Sequence, residues 1–341
     1  MTTAPICVVI PVLNEELGLP QLLNGLKEQE IRPLEIIIVD AGSSDRSVAL
    51  AGEWWRSHGW DGSRFSIAVN QRRYPGAGRN IGIKSSTQPW IAFLDAGIIP
   101  EPQWLRVLYA SALSQRKDAV FGLCRFVGIG TISKAACALS YGYLTLAPVL
   151  PASLFNISVF DEVGLFREDL RSTEDVLWMR RFERQRGLRF IVPEARVTYF
   201  GFPDSLVAAF NKWKHFSTCS ALSNLTPSQM VAYLSGFLGV FVMIVMLRFW
   251  NSMLFIGMYI MIRGIFDPIR RSKKRMWWEG DRLAFFASLI LAPVIDCAKV
   301  TGFLFGLWQM AGAVIVLSGK NVTSRLSMSK SSFFESKSKG Y

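Results

Sequence analysis

The sequence predicts an α/β protein whose mostly parallel sheet carries helices on both faces, followed by helices that associate with a membrane. Three observations support this prediction. Short apolar runs alternate with helix-like segments over residues 6–125, a pattern typical of a parallel sheet covered on both faces. Hydrophobic residues make up 50% of the 341 residues, and most of the excess follows residue 229. Basic clusters adjoin these apolar stretches, as they do beside a membrane surface.

Four short β-rich runs define the first half of the predicted sheet. They are ICVVIP (6–11), EIIIVD (35–40), FSIAVN (65–70) and WIAFLD (90–95). The segments between them, 17–29, 44–57 and 78–86, have helical periodicity or helix-start signals. A further strand is expected at 119–127, whereas the apolar residues 128–152, rich in Gly, Ala and Ser, indicate a long loop or a surface helix.

The alternating pattern resumes at residue 153 and ends in an amphipathic segment. Residues 153–160 and 188–193 are strand-like, and 172–187 form a charged helix between them. Residues 205–222 mix aromatic side chains with lysines and a histidine, which suits a helix lying in a membrane interface. We therefore expect a globular domain over residues 1–203 and an interfacial helix over 204–228.

Residues 229–317 carry most of the apolar excess and are predicted to span or enter the membrane. Residues 230–247 contain no charge and can cross a bilayer, and 249–262 could return as the second arm of a hairpin. Residues 283–295 and 300–317 could be two short spans or a re-entrant pair, because Asp296 and Lys299 separate them.

Charge distribution predicts how the chain is oriented and what it contacts. The basic loop at 267–282 and the basic flexible tail at 318–341 belong on the cytoplasmic side by the positive-inside rule, together with the globular domain. The net charge is +12, and the basic clusters lie beside apolar runs. Membrane lipids are therefore expected partners, and nucleic acid is not. Five scattered cysteines without C-x-x-C spacing fit a reducing cytoplasm, and the N-terminus predicts a strand, not a signal peptide.

Polar residues after the first two strands predict a ligand site at the carboxyl edge of the sheet. Asn14 and Glu15 follow the first strand, and Asp40 follows the second, just before Asp45. Acids at this edge can accept hydrogen bonds from a ribose and a base imide. Alternatively, Asp40 and Asp45 only stabilise a turn and cap a helix. The run VDAGSSD is more specific than a cap requires, which favours a functional Asp40.

Three further stretches carry candidate chemistry. PGAGRNIGI (75–83) places Arg79 and Asn80 as the second and third residues of a predicted helix, where backbone amides and an arginine can bind an anion. The strand WIAFLD ends at Asp95, which is followed by Ala96 and Gly97. STEDVLW places adjacent acids on the first turn of a helix, although favourable charge at a helix N-terminus capped by Ser172 or Thr173 is the simpler explanation.

Taken together, the motifs resemble the family-2 glycosyltransferases, which have the GT-A fold, a Rossmann-like arrangement. The resemblance spans roughly residues 5–200 and rests on IPVLNEE, IIIVDAGSSDRS, GAGRNIGI, WIAFLDAGIIPEPQWL and VGLFREDLRSTEDVLWMRRFERQRG, in the order of the family. The apolar C-terminal part resembles bacterial inner-membrane members that extend lipid-linked sugars for exopolysaccharide. The resemblance implies that residues 1–203 form the catalytic domain.

This resemblance also implies roles for individual residues. Asp175 matches the catalytic base of a Glu-Asp pair with Glu174, and Asp95 matches the first, metal-binding acid of Asp-x-Asp. The donor-binding positions are Pro11, Asn14, Glu15, Asp40, Gly42, Arg79, Asn80, Asp95 and Ala96. The candidates for acceptor or diphosphate contacts are Arg181, which matches a downstream arginine of the family, and Lys212, Trp213 and His215.

Two departures from the family pattern modify these expectations. Gly97 stands where the second acid of Asp-x-Asp is expected, so Mg²⁺ or Mn²⁺ is predicted to bind weakly until the donor supplies further ligands. The Gln-x-x-Arg-Trp signature of processive synthases is absent, and NKWKHF (211–216) lies in the corresponding region. A single-addition transferase is therefore expected instead of a polymerase.

The expected activity is that of an inverting glycosyltransferase at the cytoplasmic face of a bacterial inner membrane, with several spans. It would move a sugar from a nucleotide-diphosphate donor, uridine-linked by the resemblance, to a hydroxyl of a lipid-linked (polyprenyl-diphosphate) saccharide. A polyprenyl-phosphate sugar synthase is an alternative, but a phosphate acceptor leaves Asp175 no proton to remove. An inactive membrane partner subunit would explain Gly97, although Glu174 and Asp175 argue against it.

Overall fold

A computed structural model of the chain describes residues 2–223, 225, 235, 239 and 249–335. Within this part, the strands are β1 (Thr2–Val12), β2 (Ile31–Asp40), β3 (Arg64–Val69), β4 (Trp90–Phe93), β5 (Ile98–Pro100), β6 (Ala119–Phe126), β7 (Leu146–Pro148), β8 (Leu154–Asn156) and β9 (Ile191–Tyr199). The first helices are α1 (Leu19–Lys27), α2 (Ser47–His58), α3 (Pro75–Ser85), α4 (Trp104–Ser114), α5 (Thr131–Ser140) and α6 (Ser158–Val163). They are followed by α7 (Glu174–Arg186), α8 (Leu206–Leu222), α9 (Phe249–Ile260), α10 (Asp267–Ser272) and α11 (Leu283–Glu335), with a π-helical turn, Met261–Phe266, joining α9 to α10.

The strands form one mixed sheet in the order β3-β2-β1-β4-β8-β6-β9-β5, with β7 beside β6. Strands β3, β2, β1 and β4 are parallel, as are β6 and β9. The pairs β4–β8, β6–β8, β6–β7 and β5–β9 are antiparallel. The prediction of a mostly parallel sheet is therefore correct for the first four strands, whereas short return strands make the second half mixed.

The central strands are apolar throughout because helices cover both of their faces. Ile6 to Ile10 in β1 and Ile36 to Val39 in β2 have no exposed surface. Alternate side chains point to opposite faces, so Val8 and Ile10 pack in one apolar layer and Cys7 and Val9 in the other. Both layers end at the carboxyl edge of the parallel strands, where the candidate site lies.

Helix α5 is buried, which corrects the prediction of a loop or surface helix at residues 128–152. Residues 133–139 of α5 are all buried. Small side chains allow close packing against α10 and α11, and Lys134 donates from Nζ to the Glu279 carbonyl at 2.7 Å. The covering elements follow more than 120 residues later in the chain, so local sequence could not reveal that this helix is buried.

The apolar segments 283–295 and 300–317 belong to one continuous helix, α11, not to two short spans or a re-entrant pair. Asp296 lies inside it, where its carboxylate accepts hydrogen bonds from Arg263 Nη2 and Nε, both at 2.7 Å. An ion pair lowers the cost of a charge in an apolar helix, so Asp296 does not interrupt it. The backbone of α11 continues to Glu335, into the region predicted as a flexible tail.

Within the described ranges, one helical stretch, Leu283–Ala311, is long and apolar enough to cross a membrane. The span predicted at residues 230–247 lies outside the described residues. The stretch 249–262 forms α9 and the start of the π-helical turn, and helix continues to Ser272. The prediction of several spans therefore rests on a single candidate in this part of the chain.

Candidate active site

A cavity of about 430 Å³ opens at the carboxyl edge of β1, β2 and β4. It is lined by the ends of these strands, by the start of α3 and of α7, and by three aromatic residues from later segments. The predicted site residues among its walls are Pro11, Glu15, Arg79, Asp95, Ala96, Glu174 and Asp175. The structure thus brings together motifs that lie as much as 164 residues apart.

Arg79 lies between two of these acids and is 2% exposed. Its Nη2 donates to Asp95 Oδ1 at 2.6 Å, and its Nη1 donates to Glu174 Oε1. The carboxylates of Asp95 and Glu174 hold the pKa of Arg79 above its usual range despite the opposing effect of burial. Because the guanidinium already balances two carboxylates, it offers a diphosphate less countercharge than the sequence suggested. Its role as a donor-binding residue stays a prediction.

Glu174 and Asp175 occupy the first turn of α7 and line the cavity. Burial raises the pKa of Glu174 to about 7, although Arg79 favours its charged form. Loss of hydration also raises the pKa of Asp175. A carboxylate with a raised pKa is a stronger base near neutral pH. Glu174 Oε2 is buried without a hydrogen-bond partner in the described part, so it can accept a hydrogen bond from a ligand.

Thr173 sets the direction in which α7 begins. Its φ of 74° lies in the left-handed region, which non-glycine residues seldom adopt and which often marks functional sites. Thr173 occupies the N-cap position of α7, as the simpler explanation expected of Ser172 or Thr173, although its side chain makes no capping hydrogen bond. The reversal at Thr173 instead turns the first residues of α7 toward the cavity.

Helix α3 begins at Pro75, so Arg79 and Asn80 are its fifth and sixth residues, not its second and third. Proline is common at the first position of a helix, and α3 therefore begins earlier in the chain than predicted. Asn80 is 1% exposed and does not line the cavity. Its amide donates to the Phe166 carbonyl and to Glu168, and it accepts from the Phe166 amide, each at 2.9 Å. These contacts make Asn80 a tether for the loop before α7.

The loops after β1 and β2 are held together by the polar residues predicted to bind the donor. Asp40 accepts hydrogen bonds from the Gly42 and Ser43 amides at 3.1 Å, and Gly42 has a φ of 85°. Asn14 accepts from the Ser44 amide at 2.8 Å. None of Asn14, Asp40 and Gly42 lines the cavity. The contacts of Asp40 support the alternative that it stabilises a turn, and donor binding by Asn14, Asp40 and Gly42 stays a prediction.

Glu15 differs from its neighbours in the same loop because it lines the cavity. Its backbone amide donates to Ser47 Oγ at 2.7 Å. Burial and the nearby charge of Asp95 raise the pKa of Glu15 to about 7. Glu15, Asp95, Glu174 and Asp175 therefore place four carboxyl groups around a cavity in which Arg79 is already paired. A bound cation would relieve their mutual repulsion.

Asp95 is the residue predicted to bind a divalent ion at this edge, and Glu15 lines the same cavity. Asp95 keeps 43% of its side chain exposed while pairing with Arg79. The described residues contain no group of three or more potential ligands arranged to hold a metal, so substrate oxygens and water must complete any coordination shell. Gly97 does not have a positive φ, so the backbone of this turn does not require glycine. A Cβ there would meet only Tyr199 Cε2, at 3.9 Å.

The predicted acceptor residues fall into two groups. Lys212, Trp213 and His215 line a second cavity of about 410 Å³ beside the first. Arg181 lines neither cavity, because its Nη2 donates to the carbonyls of Gly164 and Leu165 and ties α7 to the preceding loop. The structure thus gives Arg181 a structural contact in place of the predicted one with an acceptor or diphosphate.

Several lining residues were not singled out from the sequence. Arg73 and Arg171 also line the first cavity. Within the described part of the chain, they are not paired with acids as Arg79 is. Tyr199 ends β9, so its position at a strand end was a usable signal. Tyr141 and Phe216 line both cavities, but each lies at or within a helix whose packing the sequence did not indicate.

Comparison with known proteins supports the family resemblance. Residues 7–158 match the family described as Glycosyl transferase family 2. Glycosyltransferase AglE of Haloferax volcanii is 28% identical over 186 residues, which cover 52% of this chain and 60% of that protein. The GalNAc(5)-diNAcBac-PP-undecaprenol beta-1,3-glucosyltransferase of Campylobacter jejuni is 22% identical over 130 residues, 37% of this chain and 40% of that protein. The chain thus matches less than two thirds of either relative's length.

A solved structure confirms the architecture. The mannosyltransferase PcManGT from Pyrobaculum calidifontis, solved in complex with GDP-Man and Mn²⁺, superposes with a TM-score of 0.52 at 14% sequence identity. The match covers 86% of this chain and 87% of the mannosyltransferase. At this identity the likeness concerns the fold. Residues 7–158 are thus a Glycosyl transferase family 2 domain, with a GT-A-like mixed α/β fold.

Proposed function

We propose that the chain is an inverting glycosyltransferase. It moves a sugar from a nucleotide-diphosphate donor to a hydroxyl of a lipid-linked (polyprenyl-diphosphate) saccharide at the cytoplasmic face of a membrane. The observation that carries the proposal is the position of Asp175 and Glu174. They line the same cavity as Pro11, Glu15 and Asp95 at the carboxyl edge of the sheet, where open α/β folds bind nucleotides.

The chemistry follows from the positions of the acids. The acceptor oxygen attacks the anomeric carbon while Asp175 takes its proton, and the bond from that carbon to the diphosphate oxygen breaks. The diphosphate leaves with the electron pair, and attack from the opposite face inverts the anomeric configuration. The raised pKa of Asp175 makes it a more effective base, and Arg79 holds Glu174 beside it.

Charge on the departing diphosphate needs a counterion. A divalent cation bound near Asp95 and Glu15 would neutralise that charge when the donor is present. Arg73 and Arg171 line the same cavity and supply positive charge from the protein. The uridine-linked donor remains part of the proposal, because the family resemblance supports it and the cavity is large enough for a nucleotide.

Two observations support a lipid-linked acceptor at a membrane. The Campylobacter relative is named for an acceptor carried on undecaprenol diphosphate. The stretch Leu283–Ala311 is long and apolar enough to span a bilayer, and Phe286, Ile290 and Trp308 on it are between 58% and 69% exposed. We accordingly propose residues 1–203 as the cytoplasmic catalytic domain, residues 204–228 as an interfacial helix and the following helices as the membrane-associated part.

The test is Asp175→Asn in the full-length protein, assayed with labelled nucleotide sugars and a membrane lipid extract. We expect transfer to fall by ~10²–10⁴-fold, because the amide cannot accept the hydroxyl proton, while calorimetry shows unchanged donor binding. Asp169→Asn is the matched control, since Asp169 pairs with Arg167 outside the cavity. Near-normal transfer by the Asp175 variant to a polyprenyl phosphate would favour the phosphate-acceptor synthase. Absence of transfer by the wild type with every donor would favour an inactive subunit.

A further inference from the structure

The second cavity, of about 410 Å³, adjoins the candidate active site. Tyr141, Ser172 and Phe216 line both cavities, so a ligand lying past them can occupy both. The complete lining of the second cavity is Ser140, Tyr141, Ser172, Lys212, Trp213, His215, Phe216, Arg271 and Lys299. We refer to it below as the basic cavity.

In the part of the chain that the structure describes, the basic cavity is lined by cations without acids, whereas its neighbour is lined by both acids and arginines. Lys212, His215, Arg271 and Lys299 line it, and none of the described residues lining it is acidic. Lys212 Nζ donates to neutral oxygens, the Tyr199 hydroxyl at 2.9 Å and the Gly201 carbonyl at 2.6 Å, which leave its charge in place. Burial lowers the pKa of Lys212 to about 8, so the ammonium still predominates at pH 7.

Arg271 is held rigidly at the wall of the basic cavity. Its Nη1 donates to the Ser140 carbonyl at 2.7 Å, and its Nε donates to Asp267 at 2.8 Å. Asp267 also pairs with Arg263 and Arg270, and Arg263 pairs with Asp296 as well, so three guanidinium groups share two carboxylates. The cluster keeps positive charge that an anion can neutralise.

Close helix packing brings Lys299 to the same place. Thr218 Oγ1 in α8 donates to the Gly302 carbonyl in α11 at 3.0 Å, and Ser217 Oγ donates to the Lys299 carbonyl at 2.6 Å. A Cβ on Gly302 would lie 2.1 Å from the Lys214 carbonyl oxygen. Small residues at such a crossing let two helices approach closely, as in membrane bundles. The basic cavity is therefore built against the candidate membrane span.

We propose that the basic cavity binds the phosphate or diphosphate of an amphiphilic acceptor. Its apolar chain would lie along α11, and its sugar would pass Tyr141, Ser172 and Phe216 to reach Asp175. This inference rests on the proposed function, because it assigns a subsite for the acceptor of that reaction. The aromatic wall beside the cations suits a phosphate ester with an apolar chain better than a free anion. A bulk lipid headgroup would not need a cavity that adjoins the catalytic one.

The experiment measures binding without turnover. Full-length protein in detergent micelles is titrated by calorimetry with farnesyl diphosphate, with farnesol and with inorganic pyrophosphate, in the absence of nucleotide sugar. Lys212→Gln and Lys299→Gln remove one cation each from the basic cavity. Lys214→Gln is the matched control, because Lys214 lies on the same helix as Lys212 but places its Nζ over the Phe305 ring, 5.7 Å from the centroid. Thermal midpoints verify that each variant is folded.

We expect farnesyl diphosphate to bind, farnesol not to bind measurably, and each cavity variant to lose ~10-fold in affinity, the effect of one charge-assisted hydrogen bond. Lys214→Gln should stay within about twofold of the wild type on the same scale. Equal affinity of wild type and cavity variants would overturn the proposal. Pyrophosphate binding as tightly as farnesyl diphosphate would reassign the cavity to a free anion. Equal competition by phosphatidylglycerol vesicles would reassign it to a bulk lipid headgroup.

Failure of this subsite can be separated from failure of the proposed function. Asp175→Asn should bind farnesyl diphosphate with the affinity of the wild type, because Asp175 does not line the basic cavity. Binding without sugar transfer by the wild type would reject the transferase and keep the subsite. Unchanged transfer to a lipid-linked saccharide by both lysine variants would reject the subsite and keep the transferase.

Discussion

The two adjoining cavities differ in charge and in how the chain builds them. The first is acidic, with Glu15, Asp95, Glu174 and Asp175 among its lining residues, and each acid lies within a few residues of a strand end or a helix start. The basic cavity takes its cations from α8, α10 and α11, which lie in the part of the chain that we propose to be membrane-associated. A site at the edge of a sheet follows local motifs, whereas a site between helices depends on how the helices cross.

The largest expected effect is the loss of stability when Arg79, the arginine paired with two acids of the acidic cavity, is replaced. Arg79→Met leaves Glu174 and Asp95 without their shared partner, and removal of one member of a buried ion pair costs ~3–5 kcal/mol of unfolding free energy. Arg72→Met is the matched control, because the Arg72–Glu168 pair is 68% and 27% exposed and contributes about 0–1 kcal/mol. Chemical denaturation of the full-length protein in detergent measures both. Equal effects of the two substitutions would contradict the central position of Arg79.

The next effect concerns the helix crossing that builds the basic cavity. Gly302→Ala places a methyl group against the Lys214 carbonyl, and overpacking of this kind costs ~1–3 kcal/mol. Gly257→Ala is the control, since no atom lies within 4 Å of its added Cβ, and alanine favours a helix by up to ~1 kcal/mol. We expect only Gly302→Ala to lower the thermal midpoint in detergent and to weaken farnesyl diphosphate binding. An unchanged midpoint for Gly302→Ala would mean that α11 does not pack against α8 as closely as described.

A smaller effect tests the metal prediction at the acidic cavity. Gly97→Asp restores a second acid, and there is room for it because the added Cβ contacts only Tyr199. With donor present, we expect the Mg²⁺ concentration for half-maximal transfer to fall by up to ~10-fold, as ligand charge rises. Gly97→Asn, which has the size of aspartate without its charge, is the control. Full wild-type activity in chelator would show that metal plays no part and leave Arg73 and Arg171 as the countercharge.

The smallest effect is the pH dependence of stability that comes from Glu15. Its folded-state pKa of about 7 lies above the usual value of an unfolded glutamate. The folded protein therefore binds more protons than the unfolded chain, and stability falls as pH rises from about 4.5 to 7. Glu15→Gln should flatten this decline, whereas Glu16→Gln, in the same loop but exposed, should leave it unchanged. If the stability of Glu15→Gln declined with pH as that of the wild type does, Glu15 would not be the cause of the decline.

Local patterns in the sequence were sufficient for the sheet strands and for the acids of the first cavity. The runs that became β1, β2 and β4 were recognisable because a strand buried on both faces must be apolar throughout, whereas β3, at the edge of the sheet, is only partly buried. Glu15, Asp95, Glu174 and Asp175 were identified because each follows a strand or begins a helix. The start of α3 and the side-chain contacts of Asn80 and Arg181 were not predicted, since they depend on loops distant in sequence.

By itself, the sequence determined the family, the order of the first strands and the acids at their carboxyl ends, because those features depend on neighbours within one motif. Only the tertiary structure decided that α5 is buried, that Arg79 is shared by Asp95 and Glu174, and that residues 283–317 belong to one helix. It also decided that Arg271 and Lys299 meet Lys212 in one cavity. Long-range packing and polar contacts join residues between 16 and 145 positions apart. The periodicity of a helix or strand covers only a few residues, so it cannot predict such contacts.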